Sequence, residues 1–351
     1  MPDGWHLDLA LRFTLAIAVV LSALFLKARL TYLAIPKLQR VEARQPDCMV
    51  VIPARNEELF IERAVRSFPH DTVIVVDDHS NDRTAEVAQN AGAGVLRAPD
   101  LPRGAVGKPH VCMTGARLLT SKWILFADAD TWSEPGFLDS VIAHAEDREL
   151  AFLSVYPRQE GETFFANVLA PLATALFFCG VPSRSSLVVM FNGQCLLVRR
   201  DAYEFIGGHA AVLNRVVEDV GLAALGVRHR MKLGIARAED LGQVQFRDAW
   251  GTIERGAFRF AEMSPWGGIT IALTVLLAAI WLPVLAWLLM GDHWLAATAF
   301  ALLPMMLTAS WYRGVQVLMA PIAIYAILPM IGNGIVRAVS GRAVRWKGRV
   351  I

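Results

Sequence analysis

The sequence predicts an α/β domain on a mostly parallel sheet, flanked at both ends by apolar segments that enter a membrane. Three observations carry this. Between about Lys27 and Met263, short apolar β-rich runs alternate with stretches of helical spacing, the pattern of βαβ units whose sheet is covered on both faces. Apolar residues crowd at Leu9–Leu26 and again from Ile269 to about Val336. Acidic residues gather where the apolar runs of the middle stop, and ligands bind beyond the strand ends in open α/β sheets.

Leu9–Leu26 is long enough to cross a bilayer, with Arg12 near one end, where it can snorkel. Met1–Leu9 carries Asp3 and Asp8 but no Lys or Arg, whereas Lys27, Arg29, Lys37, Arg40 and Arg44 follow the run. No small-residue cleavage site is convincing, so a retained signal-anchor is expected, with the N-terminus outside and the middle domain in the cytoplasm. Cys48–Ile52 then reads as a strand ended by Pro53, and Glu57–Ser67 as a helix. Thr72–Val76 is a second strand, ended by Asp77 and Asp78, and Asp82–Ala91 a helix closed by Gly92. Lys108–Leu119 reads as a helix and Trp123–Ala127 as a third buried strand. Phe164–Phe178 is apolar nearly all round and contains Pro171, which fits either a core helix or one lying on the membrane surface.

Three apolar segments follow, Ile269–Met290, Trp294–Trp311 and Val315–Ile331, where up to Val336 Asp292 and Arg313 are the only formal charges. Three full crossings would carry the basic tail (Arg337, Arg342, Arg345, Lys347 and Arg349) away from the cytoplasm, against the positive-inside tendency. The third segment holds Pro321 and Pro329, each a helix interrupter. Val315–Val336 is therefore expected to enter the membrane and return as a re-entrant or interfacial hairpin. The domains expected are an anchor over 1–30, a catalytic domain over 31–265, and membrane segments with a basic tail over 266–351. The whole is a multi-pass protein of the inner, cytoplasmic membrane with its catalytic domain inside.

Composition narrows the function. Of 351 residues, 55% are hydrophobic and 19% charged, below the roughly 25% charged residues of a soluble domain. A net charge of +2 gives no general basic field for nucleic acid. Cys48, Cys112, Cys179 and Cys195 are scattered without a CxxC pair, which reads as buried small hydrophobes rather than a disulfide or zinc framework. His79, His110, His209 and His229 show no metal-ligand spacing.

The candidate chemistry lies at the strand ends. Pro53-Ala54-Arg55-Asn56-Glu57 follows the first strand, Asp77-Asp78-His79-Ser80-Asn81-Asp82 the second, and Asp128-Ala129-Asp130 the third. Two carboxylates one residue apart beyond a buried strand can share a hard cation, and Mg²⁺ or Mn²⁺ is held by one or two carboxylates plus substrate phosphates. An acidic turn or helix cap is the equal alternative. Asp77-Asp78 suits turn chemistry first, and a carboxylate there could also accept from a pyrimidine N–H and ribose hydroxyls. Glu218-Asp219 precedes an Ala- and Leu-rich helical stretch, as a dipole-favoured carboxylate pair or as a general base. Asn192-Gly193-Gln194 offers amides to sugar or acceptor hydroxyls. Gly107-Lys108 offers a cation to phosphate but lacks the P-loop pattern.

Read in order, Val50–Glu58, Val75–Thr84, Gly107-Lys108, Ala127–Asp130 and Glu218-Asp219 resemble the family 2 glycosyltransferases of the GT-A fold, a Rossmann-like α/β fold, over about Cys48 to Ile253. The resemblance implies inverting transfer from a nucleoside diphosphate sugar, a UDP-sugar first among them, with Mg²⁺ or Mn²⁺. Carried over, Pro53, Ala54, Arg55, Glu57 and Asp77 hold the nucleoside, Asp78 supports that loop, and Lys108 and Asp128 contact the donor. Asp130 binds metal beside Asp128, and Asp219 is the base with Glu218 beside it. The Q/R-x-x-R-W motif of many membrane relatives is absent. Phe246–Phe260 has Arg247, Trp250, Arg255 and Arg259 in another arrangement, which argues against a processive synthase. Arg345-Trp346-Lys347-Gly348-Arg349 resembles the C-terminal signature of small membrane glycosyltransferases of hopanoid and carotenoid pathways, including the diaponeurosporenoate type. That implies a lipid-like acceptor at the bilayer, near Trp250, Arg345, Trp346 and Lys347. A polyprenyl-phosphate or ceramide acceptor, and a catalytically silent scaffold, are the alternative readings.

Overall fold

The computed structural model describes residues 3–42, 46–182, 187–291, 293–312, 314–341, 345–346 and 349–350. Arg44, Asp292, Arg313, Arg342 and Lys347 lie outside the described residues. The chain forms two compact units: Ile35–Gln159, Ser185–Gln245 and Arg345–Ile351 make one, and Met1–Ala34, Glu160–Arg184 and Phe246–Val344 the other. The second gathers the N-terminal helix, an internal segment and the C-terminal apolar region up to Val344.

Along the chain, α1 (Asp3–Leu33) precedes the sheet unit. There β1 (Cys48–Ala54), α2 (Ile61–Arg66), β2 (Val73–Asp77), α3 (Thr84–Asn90), β3 (Gly94–Arg97), α4 (Gly107–Ala116) and β4 (Trp123–Ala127) alternate as the apolar runs require. They are followed by β5 (Thr131–Ser133), α5 (Phe137–Asp147), β6 (Phe152–Tyr156) and β7 (Arg158–Gly161). The helical unit's α6 (Phe164–Gly180) intervenes before β8 (Cys195–Arg199), α7 (Arg200–Phe205), α8 (Glu218–Arg228), β9 (Leu233–Arg237) and β10 (Gly242–Phe246). The seven-stranded sheet has the order β3-β2-β1-β4-β8-β6-β9. Its pairings are parallel except where β8 runs antiparallel to β4 and β6. Val50, Ile52, Val75, Leu125, Leu153 and Leu197 from its strands are fully buried in one core.

The end of the first strand differs from expectation in a way that shapes the site. Pro53 does not end β1: it pairs with Val76, and Ala54 with Asp77. Proline is tolerated because the ladder to β4 stops at Val51, so no neighbour needs its missing N–H. The strand thus delivers Ala54 and Asp77 side by side at the sheet's carboxyl edge.

In the other unit, α9 (Ala249–Met263), α10 (Pro265–Ala279), α11 (Trp281–Met290), α12 (Trp294–Thr308) and α13 (Ala320–Val339) join α1 and α6. Among the described residues four stretches are long and apolar enough to cross a membrane: Arg12–Leu33, Pro265–Met290, Trp294–Trp311 and Gly314–Val339. Phe164–Gly180 is a shorter apolar helix. Its Val168, Leu169, Ala170, Leu172 and Ala175 are buried, while Phe164 and Phe165 at its start are exposed. Lys27 of α1 caps its end, donating to the carbonyls of Cys179, at 2.9 Å, and Val181.

The last apolar segment is a 3₁₀ stretch, Gly314–Met319, leading into one continuous helix, α13. Pro321 lies in the first turn of α13, where a missing N–H costs nothing, so it starts the helix rather than breaking it. Ala320 and Pro321 line the same apolar pocket as Leu21, Ala278, Trp281 and Leu303, and the Tyr325 hydroxyl donates to the Ala279 carbonyl at 2.5 Å. At the far end Arg337 pairs with Glu254 of α9 at 2.7 Å. Thus α13 runs antiparallel to α10 and ends beside the helix that precedes α10.

Candidate active site

The site is built at the carboxyl edge of β1, β2 and β4. Two loops there are stitched to one another. The Asn56 backbone N–H donates to Ser80 Oγ at 3.0 Å, that of Glu57 to Thr84 Oγ1 at 2.7 Å, and that of Asn81 to Asn56 Oδ1 at 2.9 Å. Arg83 N–H closes the seam on Glu58 Oε2 at 3.0 Å. Asn56 and His79 hold left-handed backbone, with φ of 53° and 55°, a conformation that costs energy outside glycine and clusters at functional sites. Behind the seam Glu57, Asp77 and Asp78 are buried. Asp77 accepts from the Ser80 N–H. Arg55 Nη1 donates to the Asp78 carbonyl at 2.6 Å and lies 3.8 Å from its carboxylate. Pro53, Ala54, Arg55, Glu57, Asp77 and Asp78 are thus assembled in one place.

The second focus is Lys108, in the first turn of α4. Its ammonium lies 2.7 Å from Asp128 Oδ1 and 3.2 Å from Glu218 Oε1, and donates to the Gly193 carbonyl at 2.9 Å. Burial opposes the charge, but Asp128 and Glu218 outweigh it and hold the ammonium's pKa above the ordinary lysine value. Asp128 follows β4, its N–H bonded to the Gln194 carbonyl at 3.0 Å just before β8. Asp130 is tied by its carbonyl to the Gln245 N–H of β10 at 2.9 Å. Asn192 and Gln194 brace each other: Nδ2 of one donates to Oε1 of the other at 2.8 Å, and the Gln194 N–H returns to Asn192 Oδ1 at 3.1 Å.

Gly193 completes the junction. A Cβ built on it would stand 3.1 Å from Glu218 Oε1, 3.1 Å from Lys108 Nζ and 3.2 Å from Asp219 Oδ2. The bare backbone therefore leaves an opening walled by both α8 carboxylates and the ammonium. Sequence spacing brought Asn192-Gly193-Gln194 forward as amide donors; the structure adds that the missing side chain is what matters at 193. His209, not singled out by its spacing, lies buried at this locus. Its Nδ1 is 2.8 Å from the Tyr203 hydroxyl. Burial, with the Lys108 charge adding to it, pushes its pKa down to about 3.

Trp250 belongs to the helical unit, on α9, where it is 47% exposed and its indole N–H donates to Glu254 Oε2 at 3.0 Å. Arg345 and Trp346 form a two-residue strand antiparallel to Arg349–Val350. The four cysteines are free and buried, and burial pushes the thiols of Cys48, Cys112 and Cys195 up.

Residues 49–207 match the family described as Glycosyl transferase family 2. The 4,4'-diaponeurosporenoate glycosyltransferase of Staphylococcus haemolyticus (strain JCSC1435) is 28% identical over 212 residues, 56% of each chain. The protein of that name from Staphylococcus aureus (strain USA300) is 30% identical over 189 residues, 50% of each chain. The chain thus spans about half the length of the curated relatives it matches. Among solved structures, the mannosyltransferase PcManGT from Pyrobaculum calidifontis, in complex with GDP-Man and Mn²⁺, superposes with a TM-score of 0.52. It is 18% identical, over 93% of this chain and 99% of that one. At that identity the likeness concerns the fold.

Proposed function

We propose that this chain, which carries a family 2 glycosyltransferase domain of the GT-A fold over residues 49–207, moves a sugar from a nucleoside diphosphate sugar to a hydrophobic acceptor with inversion. The observation that carries the reading is the Lys108 junction. It brings Asp128 from one strand end and Glu218, with Asp219 beside it, from the start of α8 around a single opening.

In this reading the stitched loops hold the nucleoside, with the buried Asp77 carboxylate accepting from base or ribose. Lys108 supplies fixed positive charge on the diphosphate side. Asp128 and Asp130 suit a hard divalent ion, Mg²⁺ or Mn²⁺. Such an ion takes one or two carboxylates from the protein, and the donor phosphates would complete its shell. When bound, such an ion would neutralise charge on the diphosphate. Asp219 faces the opening over Gly193, where it takes the proton of an acceptor hydroxyl. Attack on the sugar from the face away from the diphosphate inverts the anomeric carbon. The GDP-Man and Mn²⁺ of the PcManGT complex support a nucleotide-sugar donor with a metal. The names of the curated relatives and the apolar helices support a lipid-like acceptor. We place the catalytic unit on the cytoplasmic face of the inner membrane, the side of Lys27, Arg29, Lys37 and Arg40.

The test has two arms. Full-length protein in lipid nanodiscs is given UDP-glucose, UDP-N-acetylglucosamine or GDP-mannose with Mg²⁺ or Mn²⁺, and nucleotide release is followed. Lipids of a strain lacking the chain are compared with its parent by mass spectrometry. Release from at least one donor, and loss of a glycosylated apolar lipid, are expected. Silence in both arms would return the chain to the scaffold reading, and loss of a glycosylated polyprenyl phosphate or ceramide would replace the acceptor.

A further inference from the structure

Beyond the transfer reaction, the helical unit carries a charge imbalance at one place. Helix α9 is amphipathic, with Ile253, Ala257, Phe258 and Phe260 buried, and its other side carries Arg255 and Arg259, one turn apart. Asp248 lies 3.4 Å from Arg255 Nη1, and Thr252 Oγ1 is 3.3 Å from its Nη2. Glu254 is taken by Arg337 at 2.7 Å and by the Trp250 indole at 3.0 Å. Among the described side chains, Asp248 is engaged by Arg255 and Glu254 by Arg337, and Arg259 is the guanidinium that neither of these pairs takes up. Its Nε is buried with no hydrogen-bond partner among the described residues. The two arginines feel one another: burial lowers the Arg255 pKa and the Arg259 charge lowers it further, against Asp248. A buried guanidinium N–H without an acceptor is costly, and paired guanidinium groups match phosphate oxygens in geometry.

The position says which phosphate. Ser264 alone separates α9 from the apolar stretch Pro265–Met290, long enough to cross a membrane. Trp266 at its start is 78% exposed and Trp250 on α9 47%, the aromatic placement of a membrane–water boundary. Between the arginines sits Gly256, exposed, with nothing within 4 Å of where its Cβ would be, so a headgroup can approach the helix backbone there. We propose that Arg255 and Arg259 bind the phosphodiester of an anionic phospholipid at the level where α10 enters the bilayer.

The full-length protein, purified in a neutral detergent, is offered phosphatidylglycerol or phosphatidylcholine with identical acyl chains, and retained lipid is counted by native mass spectrometry. Phosphatidylglycerol should be held in preference. Arg259→Gln should weaken that retention about five-fold, the effect of one basic group at a charged membrane surface, and Arg259→Lys less. Gly256→Glu, at an exposed position with open space, adds a carboxylate without touching the packing. It should abolish the preference even if Arg259→Gln fails to fold. Equal retention of both lipids, or unchanged retention in Arg259→Gln and Gly256→Glu, would overturn the proposal. So would displacement of the lipid by millimolar inorganic phosphate or UDP, which would make this a site for soluble phosphates.

Discussion

At the scale of single residues, Asp219, Asp130, Lys108 and His209 have different signatures on removal. Asp219→Asn leaves the donor loops intact, so nucleotide affinity should persist while transfer falls about 10²–10⁴-fold, the usual contribution of a positioned base. Isothermal titration with UDP or GDP beside a transfer assay separates the two. Asp130→Asn should cost orders of magnitude in turnover, and EDTA should do the same to the native protein; turnover indifferent to EDTA would remove the metal from the mechanism. Lys108→Met strands Asp128 and Glu218 without their cation, so it should destabilise the sheet unit by on the order of 3 kcal/mol, read from denaturant midpoints. His209 makes a prediction in pH. Its folded pKa of about 3 lies below the roughly 6.5 of an exposed histidine. The unfolded chain therefore binds the extra proton between them, and stability is complete above pH 6.5 and drains away as pH falls through that window. His144, pushed down to about 4 by burial, acts in the same direction. The melting temperature should fall from pH 7.5 to pH 5, and less steeply in His209→Gln. The carboxylates at strand ends were legible in the sequence because strand termini announce themselves by composition. The tie between Lys108 and Glu218 was not, because their separation along the chain carries no periodicity, and only the fold brings α4 and α8 together.

Among the secondary elements, α4 shows how closely the site is seated. A Cβ on Gly115 would come within 2.7 Å of Val51 Cγ1 and 2.9 Å of Val76 Cγ2, so this helix lies directly on β1 and β2 through a bare backbone. Gly115→Val should lift α4, costing about 1–3 kcal/mol by overpacking, and should lower turnover further by carrying Lys108 away from Asp128. Thermal melts and nucleotide release read the two effects separately. The strands β1, β2 and β4 were readable as continuous apolar runs, as a sheet buried on both faces demands. The short edge strand β3 was missed because Gly94–Arg97 is half-exposed and has neither run nor alternation. The antiparallel β8 could not be foreseen from pattern at all, since Cys195–Arg199 reads like any buried strand and its direction is set by the loops around it.

For the molecule as a whole, the direction of α13 decides topology. Pro265–Met290 and Trp294–Trp311 can cross and return, which brings the chain back to the α9 side before Gly314. Because Arg337 pairs with Glu254 of α9, the chain leaves α13 on that same side. We expect the C-terminus to share the side of the catalytic unit, so a reporter active only in the periplasm, fused after Ile351, should be silent. Activity there would mean that Gly314–Val339 crosses. The helical unit also sets an order of events during synthesis. Its first helix, α1, leaves the ribosome hundreds of residues before α12 and α13, and Tyr32 of α1 packs on Phe178 and Trp311, with ring centroids 5.3 Å apart in each case. The ring contacts of α1 are therefore complete only once Trp311, which follows α12, has been made. Until then the Tyr32 face of α1 lacks one of the two aromatic neighbours that cover it in the finished unit.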